Sequence, residues 1–259
     1  MPSFQSADAQ INYQTFGEPS SPALVFSNSL GTNYGMWQKQ FNELKDQFFV
    51  ICYDTRGHGS SSTPDGPYTV QQLGEDVVRL LDHLNISKAA FCGISMGGLT
   101  GQWLAIHYPD RFSHVILANT AAKIGQEQTW LDRAKLVLEQ GLQPIAATAA
   151  SRWFTNPFIQ SHASIVNNLC NDLSAGSAMG YANCCEALAK ADVREQLKDI
   201  KVPVLVIAGT QDPVTTVADG EFMQQRIPQS KLAEIDASHI SNVEQPEAFN
   251  KILKDFLLG

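Results

Sequence analysis

The sequence predicts an α/β protein with a mostly parallel, doubly wound sheet and a helical insertion that forms a lid. Short apolar segments alternate with helical patterns along most of the 259 residues, an order that builds a parallel sheet with helices on both faces. Residues 123–192 interrupt this alternation with helical patterns alone. Hydrophobic residues make up 44% and charged residues 17% of the chain, which are values of an ordinary globular protein.

The predicted strands are short and consist mainly of Val, Ile, Leu, Phe and Ala. Such runs are typical of strands that are buried on both faces, as in a parallel sheet. They lie at residues 23–27, 48–53, 89–93, 114–118, 204–209 and 232–235.

Two helices are indicated by apolar residues that recur with a period of 3.6. The first covers residues 70–84, and Thr69 and Gln72 have the spacing of a capping box at its start. The second has its apolar positions within residues 249–257, and Pro246 occupies its first turn, where proline is tolerated. Each helix therefore has one face that can pack on the sheet.

The insertion at residues 123–192 contains no convincing strand. It is rich in Ala, Leu and Gln and carries aromatic residues that include Trp130 and Trp153. Because the segment is too long for a loop, we expect a helical lid inserted in a core built from residues 1–122 and 193–259.

Charge and composition exclude several classes of function. The formal net charge is −8 and the 18 Lys and Arg residues form no basic cluster, which argues against nucleic acid as a partner. No apolar run reaches the ~18 residues of a membrane span, and no signal peptide is recognisable. Five cysteines without a CxxC pair suit a reducing compartment, so we expect a cytoplasmic protein. No metal-binding motif such as H-E-x-x-H occurs, and no cofactor is expected.

A candidate nucleophile lies in the sequence Gly93-Ile94-Ser95-Met96-Gly97. It follows a predicted strand and precedes a helical pattern, which is the context in which G-x-S-x-G forms a nucleophile elbow. Glycines are needed there because bulkier residues would collide with the backbone that crosses the turn. We predict that Ser95 is the nucleophile; the alternative is a glycine-rich turn with an incidental serine.

A serine nucleophile needs a base, and the base needs an acid that orients it. In this type of sheet the chain order is Ser, then Asp or Glu, then His, and His239 follows the last predicted strand. Asp212, after the preceding strand, is the predicted acid. Asp236 is an alternative that lies close to His239 along the chain, and the rival position before the insertion holds Asn119 instead of a carboxylate.

Acyl transfer also needs two N–H groups aimed at the oxygen of the tetrahedral intermediate. The first candidate is the N–H of Met96, next to the predicted nucleophile. The second should come from the loop after an early strand, here residues 27–31, where the usual pattern makes Leu30 the donor. The alternative is a plain turn.

These motifs resemble those of the α/β-hydrolase superfamily across essentially the whole chain. Residues 54–59, with the sequence D-T-R-G-H-G, are similar to a structural D-x-R-G-x-G turn of that family, so His58 is expected to be noncatalytic. One departure concerns the oxyanion loop, which commonly starts with His-Gly and here has Asn28-Ser29.

A closer resemblance is to the 3-oxoadipate enol-lactonases. It rests on residues 27–31, 152–155, 180–182, 208–213 and 236–246. The last segment is the most specific, because generic relatives usually have Gly-His in place of Ser238-His239. The resemblance implies a serine hydrolase that opens a small lactone bearing a free carboxylate. A general small-ester carboxylesterase, a perhydrolase and a noncatalytic binding protein are the alternatives.

An anionic substrate needs a local cation in an acidic protein, and arginine grips a carboxylate with two hydrogen bonds. Trp130 and Arg133 are three residues apart on a predicted helix and hence neighbours on one face, and Arg152 adjoins Trp153. We predict that Arg133 holds the substrate carboxylate, with Arg152 as second candidate and both tryptophans as pocket walls. The alternatives are that the tryptophans only pack the lid on the core and that the arginine lies on a solvated helix face. The sequence is compatible with a monomer and with a homo-oligomer.

Overall fold

In the computed structural model, which describes residues 2–259, eight strands form one sheet. The strands are β1 (Ser3–Ser6), β2 (Ala9–Phe16), β3 (Ala23–Ser27), β4 (Phe49–Tyr53), β5 (Ala89–Ile94), β6 (Phe112–Ala118), β7 (Val204–Gly209) and β8 (Ser230–Ile235). Their order across the sheet is β1-β2-β4-β3-β5-β6-β7-β8. β2 is antiparallel to β1 and β4, whereas the other neighbouring strands are parallel.

Helices connect these strands. They are α1 (Gln38–Leu44), α2 (Val70–His83), α3 (Met96–His107), α4 (Glu127–Gln140), α5 (Gln143–Ala146), α6 (Ala149–Trp153), α7 (Asn156–Ser161), α8 (Ala163–Ser174), α9 (Ala178–Lys190), α10 (Val217–Gln224), α11 (Ser241–Glu244) and α12 (Pro246–Leu257). After β3 the chain adds β4 on one side and then β5 to β8 on the other, and this reversal places the helices on both faces of the sheet. The predicted fold class is therefore confirmed. No helix within residues 2–259 combines the length and the apolar character that a membrane crossing requires.

The six strands β3 to β8 each overlap the apolar run that predicted them. β3, β4, β5 and β7 are buried at every position, which explains why these runs are continuously apolar. The helix starts were also predicted correctly: Thr69 and Gln72 exchange the two hydrogen bonds of a capping box before α2, and α12 begins at Pro246.

Strands β1 and β2 were not predicted from the sequence. In β2, Ala9, Ile11 and Tyr13 are buried while Gln10 is exposed. This alternation is typical of an antiparallel strand with one buried face, and it differs from the continuous apolar runs of the inner strands. Polar residues on the open face therefore concealed the strand.

The lid segment, residues 123–192, is helical as expected. It contains α4 to α9 and no strand, and it leaves the sheet after β6 and returns before β7. We propose that it forms a lid on a core that consists of the chain before and after it.

The D-T-R-G-H-G turn after β4 is anchored by a buried ion pair. Arg56 is fully buried, and its Nε and Nη2 donate to the two carboxylate oxygens of Asp76 on α2 at 2.7 and 2.8 Å. Asp8, whose side chain is 48% exposed, accepts from Nη1 of the same guanidinium at 3.1 Å. The pair fixes the turn and hence the position of His58.

We expect Asp76→Asn to lower the free energy of unfolding by about 3–5 kcal/mol, because it leaves the buried Arg56 charge uncompensated. Asp8→Asn removes the exposed partner of the same guanidinium and should cost less than about 1 kcal/mol. Urea unfolding of both variants measures the difference. Equal losses in the two variants would contradict the role given to the Arg56–Asp76 pair.

Candidate active site

Ser95 lies at a sharp turn between β5 and α3. Its backbone has φ +57° and ψ −115°, a strained conformation for a residue other than glycine. A Cβ atom on Gly93 would lie 2.1 Å from the carbonyl oxygen of Gly97, and one on Gly97 would lie 2.3 Å from that of Ser27. Both glycines are therefore required for the close backbone approach that presents the serine hydroxyl.

The structure brings Ser95, His239 and Asp212 together, although they come from three separate loops. The Oγ of Ser95 is 2.9 Å from Nε2 of His239, and Nδ1 of His239 is 2.8 Å from Oδ2 of Asp212. All three residues are buried. The arrangement is that of a nucleophile, a base and an orienting carboxylate.

Asp212 is held as an ionised acceptor. Its Oδ1 accepts from the backbone N–H groups of Val214 and Thr215 at 2.7 and 3.1 Å, and its Oδ2 accepts from the hydroxyl of Thr215 at 2.8 Å. Burial alone would raise the pKa of Asp212, but His239 and these hydrogen bonds, with one from Asn119, hold it below its usual value. Because an ionised carboxylate only accepts, His239 carries its proton on Nδ1 and leaves Nε2 free to accept from Ser95.

Asn119 is a part of the site that the sequence analysis did not identify. It follows β6 with φ +42°, and its Nδ2 donates to Oδ2 of Asp212 at 3.0 Å and to the carbonyl oxygen of Ser238 at 3.1 Å. The amide thus joins the acid to the loop that carries His239. The available signal was its place at the carboxyl end of a parallel strand, where functional residues gather.

The alternative acid, Asp236, points elsewhere. Its carboxylate accepts from Nε2 of Gln211 at 2.7 Å and from the hydroxyl of Thr210 at 3.3 Å. It is exposed to solvent, and Asp212 occupies the hydrogen-bonding position on His239.

Two candidate backbone donors line the site: Leu30 lies in the loop after β3, and Met96 directly follows Ser95 at the start of α3. Within residues 2–259, neither the N–H of Leu30 nor that of Met96 donates to another group of the protein. Asn28 supports this loop, where the family commonly has histidine. Its Nδ2 donates to the carbonyl of Tyr53 at 2.9 Å, and its Oδ1 accepts from Nε1 of Trp37 at 3.0 Å. This geometry suits the oxyanion hole predicted for Leu30 and Met96.

A cavity of about 250 Å³ opens above the serine. Its lining includes seven of the predicted site residues: Leu30, Ser95, Trp130, Arg133, Arg152, Trp153 and His239. Further lining residues were not predicted, among them Ser29, Ile124, Thr129, Tyr181, Pro213 and Val214. Their place in the cavity follows from the packing of the lid segment on the core, which local sequence patterns do not encode.

A family model described as the alpha/beta hydrolase fold matches residues 22–246. The chain is 67% identical to 3-oxoadipate enol-lactonase 2 of Acinetobacter baylyi over 94% of this chain and 91% of that protein, and 51% identical to 3-oxoadipate enol-lactonase 1 of the same species over 95% and 92%. The crystal structure of the enol-lactonase from Burkholderia xenovorans has a TM-score of 0.98 at 42% identity and matches over the full length of both chains.

The chain belongs to the α/β-hydrolase family. The matches extend over the sheet and the lid segment alike, so the resemblance predicted from scattered motifs holds for nearly all of the sequence. The similarity to enol-lactonases, predicted from five short segments, is also confirmed.

Two arginines give the cavity of this α/β-hydrolase its positive charge. The guanidinium of Arg133 lies 4.7 Å from the ring centroid of Trp130, and Nη2 of Arg152 donates to the carbonyl of Ile145 at 3.1 Å. Within residues 2–259 no carboxylate forms an ion pair with either arginine. Burial and, after it, the positive charge of Arg133 lower the pKa of Arg152.

His58 supports the oxyanion loop and does not contact Ser95. Its Nε2 accepts from the N–H of Gly31 at 2.9 Å, next to Leu30, and Gly31 has φ +82°. Burial lowers the pKa of His58 to about 4. The imidazole is therefore neutral at pH 7 and able to accept, as its position in the structural turn of an α/β-hydrolase requires.

This depressed pKa makes folding depend on pH. Below the ordinary pKa of about 6.5, the imidazole of His58 binds a proton in the unfolded state but stays neutral in the native state. The free energy of unfolding should therefore fall as the pH decreases from 6.5 to 4, by on the order of 3 kcal/mol from His58 alone. His58→Gln keeps an acceptor for Gly31 but does not titrate, so its unfolding free energy should vary less with pH in this window. Urea unfolding at several pH values tests this, and parallel curves for wild type and variant would refute it.

Proposed function

We propose that this α/β-hydrolase opens 3-oxoadipate enol-lactone to 3-oxoadipate through an acyl-enzyme. The observation that carries the proposal is that one cavity is lined by the hydrogen-bonded pair Ser95 and His239 and by two arginines that form no ion pair with a carboxylate of residues 2–259. A lactone with a free carboxylate needs both features. The similarity to two 3-oxoadipate enol-lactonases at 67% and 51% identity supports the same substrate.

The first step is attack on the lactone carbonyl. His239 accepts the hydroxyl proton of Ser95 at Nε2 while its Nδ1–H remains bonded to Asp212. The serine oxygen bonds to the carbonyl carbon, and the carbonyl oxygen becomes negative. The N–H groups of Leu30 and Met96 stabilise that oxygen, and each such donor contributes about 3–4 kcal/mol to the transition state.

The second step opens the ring. The bond between the carbonyl carbon and the ring oxygen breaks, and the oxygen leaves as an enolate that remains part of the acyl chain. An enolate is a better leaving group than an alkoxide, so ring opening needs little acid catalysis from protonated His239. The proton is transferred to the enolate and gives the enol. The enol then tautomerises to a ketone.

Hydrolysis of the acyl-enzyme restores the enzyme. Water gives a proton to Nε2 of His239 as its oxygen attacks the acyl carbon. The negative oxygen of the new tetrahedral intermediate accepts hydrogen bonds from the same two N–H groups. When the intermediate collapses, Ser95 takes the proton back from His239 and 3-oxoadipate departs.

The carboxylate of the substrate binds in the lid segment. The guanidinium of Arg133 lies over the ring of Trp130 and has enough N–H donors for a bidentate contact beside its bond to Tyr181, while Arg152 already donates to Ile145 and Thr148. We therefore assign the carboxylate to Arg133, with Arg152 adding positive charge. Trp130 and Trp153 form the walls beside it. A cytoplasmic location also belongs to this proposal, because it suits the cysteine pattern of the sequence.

Ser95→Ala should reduce kcat for the enol-lactone by about 10⁴–10⁶-fold, since the nucleophile is lost while the oxyanion hole stays. Loss of lactone absorbance gives the rate, and urea unfolding controls for folding. A variant that retains the wild-type rate would exclude the acyl-enzyme. An inactive wild-type protein would favour a noncatalytic binding role.

Arg133→Met should raise KM for the anionic lactone about 10- to 100-fold, because a charge-assisted bidentate contact is lost. Hydrolysis of neutral p-nitrophenyl acetate should change little. Lys135→Met, on the same helix with a side chain that is 75% exposed, is the matched control for loss of a positive charge.

Two results would count against this assignment. An unchanged KM in Arg133→Met would show that the arginine does not hold the carboxylate. Turnover of the neutral ester by the wild type without turnover of the lactone would instead indicate a general carboxylesterase.

A further inference from the structure

Glu244 is a buried carboxylate outside the proposed catalytic residues. It ends α11 and is 7% exposed. One oxygen, Oε2, accepts from the N–H of Ser238 at 2.9 Å, and the other, Oε1, accepts from the N–H of Thr155 at 3.2 Å and from the Thr155 hydroxyl. Within residues 2–259 it forms no ion pair with Lys, Arg or His.

The two residues that donate to this carboxylate belong to different parts of the site. Ser238 precedes His239 in the core, whereas Thr155 lies two residues after Trp153 in the lid segment. A second bond joins the same segments, because the N–H of Ile240 donates to the carbonyl of Trp153 at 3.0 Å. The histidine loop and the end of α6 are therefore tied on both sides of His239.

Burial of a carboxylate without a cation is costly, so its three hydrogen bonds must offset a large desolvation penalty. A carboxylate is the side chain whose two oxygens both only accept. An amide of the same shape would turn an NH₂ group toward one of the two backbone N–H donors. The geometry at Glu244 thus requires the charge and not the shape alone.

We propose that Glu244 is a positioning residue that fixes His239 in the core and Arg152 and Trp153 in the lid segment relative to each other. This inference rests on the proposed function, since it assigns Glu244 to the same site. Through Ser238 it acts on the base, and through Thr155 it acts on the wall and the positive charge that receive the substrate. Misplacement by about 1 Å is enough to cost about 100-fold in rate.

Two variants separate the effect of Glu244 on His239 from its effect on the lid segment. Glu244→Gln disturbs one or both, so we expect kcat for p-nitrophenyl acetate to fall about tenfold and KM for the enol-lactone to rise about fivefold to tenfold. Thr155→Val removes only the hydroxyl bond on the lid side, so it should raise KM for the lactone and leave kcat for the neutral ester unchanged. Glu247→Gln, an exposed carboxylate on the neighbouring turn, is the matched control and should behave as wild type.

A double-mutant cycle distinguishes positioning from a general loss of stability. In the Arg152→Met background, Glu244→Gln should no longer raise KM for the lactone as much as it does alone, while its effect on kcat persists. Equal effects in both backgrounds would overturn the proposed link to Arg152. Parameters of Glu244→Gln that match those of Glu247→Gln, or a lowered urea midpoint with unchanged kcat and KM, would overturn the whole inference.

The neutral ester keeps this test separate from the proposed function. If the wild-type protein hydrolyses p-nitrophenyl acetate but not the lactone, the proposed substrate fails. The kcat of Glu244→Gln on the ester then still reports whether Glu244 positions His239.

Discussion

The contact between His239 and Asp212 is the interaction on which the rest of the site depends. Imidazole has one free lone pair, and it faces Ser95 only when the proton is fixed on Nδ1. Asp212 fixes it there because five hydrogen bonds, including that of the histidine, keep the acid ionised in a buried place. The parallel sheet makes the convergence possible, since the ends of β5, β7 and β8 meet at one edge.

The two arginines that line the cavity both belong to the lid segment. The chain has a net charge of −8, and the core places an ionised carboxylate behind His239. An anionic substrate would be repelled by that field unless positive charge lay close to it. Arg133 and Arg152 provide it from the lid segment, whereas the oxyanion hole consists of neutral N–H groups. In the proposed function, the core supplies the chemistry of acyl transfer and the insertion supplies the preference for an anion.

The features that could be predicted from the sequence are those encoded by neighbouring residues. The inner strands appear as continuous apolar runs because both of their faces are buried, and G-x-S-x-G marks Ser95 because its glycines have to allow close backbone approach. Asn119 and Glu244 could not be predicted in this way. Their partners Asp212 and Thr155 are 93 and 89 residues away along the chain, so their roles exist only in the folded structure.

The lid segment is joined to the core too closely to be an independent module. The turn that holds His58 meets α9 at Gly57 and Gly180, where a Cβ on either glycine would lie within 2.5 Å of the Cα of the other. At the opposite side, Glu244 joins Thr155 to the histidine loop. The residues of the insertion that we propose to bind substrate are thus positioned by the same core loops that position the proposed oxyanion donor and base. A change of substrate preference in this fold therefore has to preserve these junctions as well as replace the residues that face the cavity.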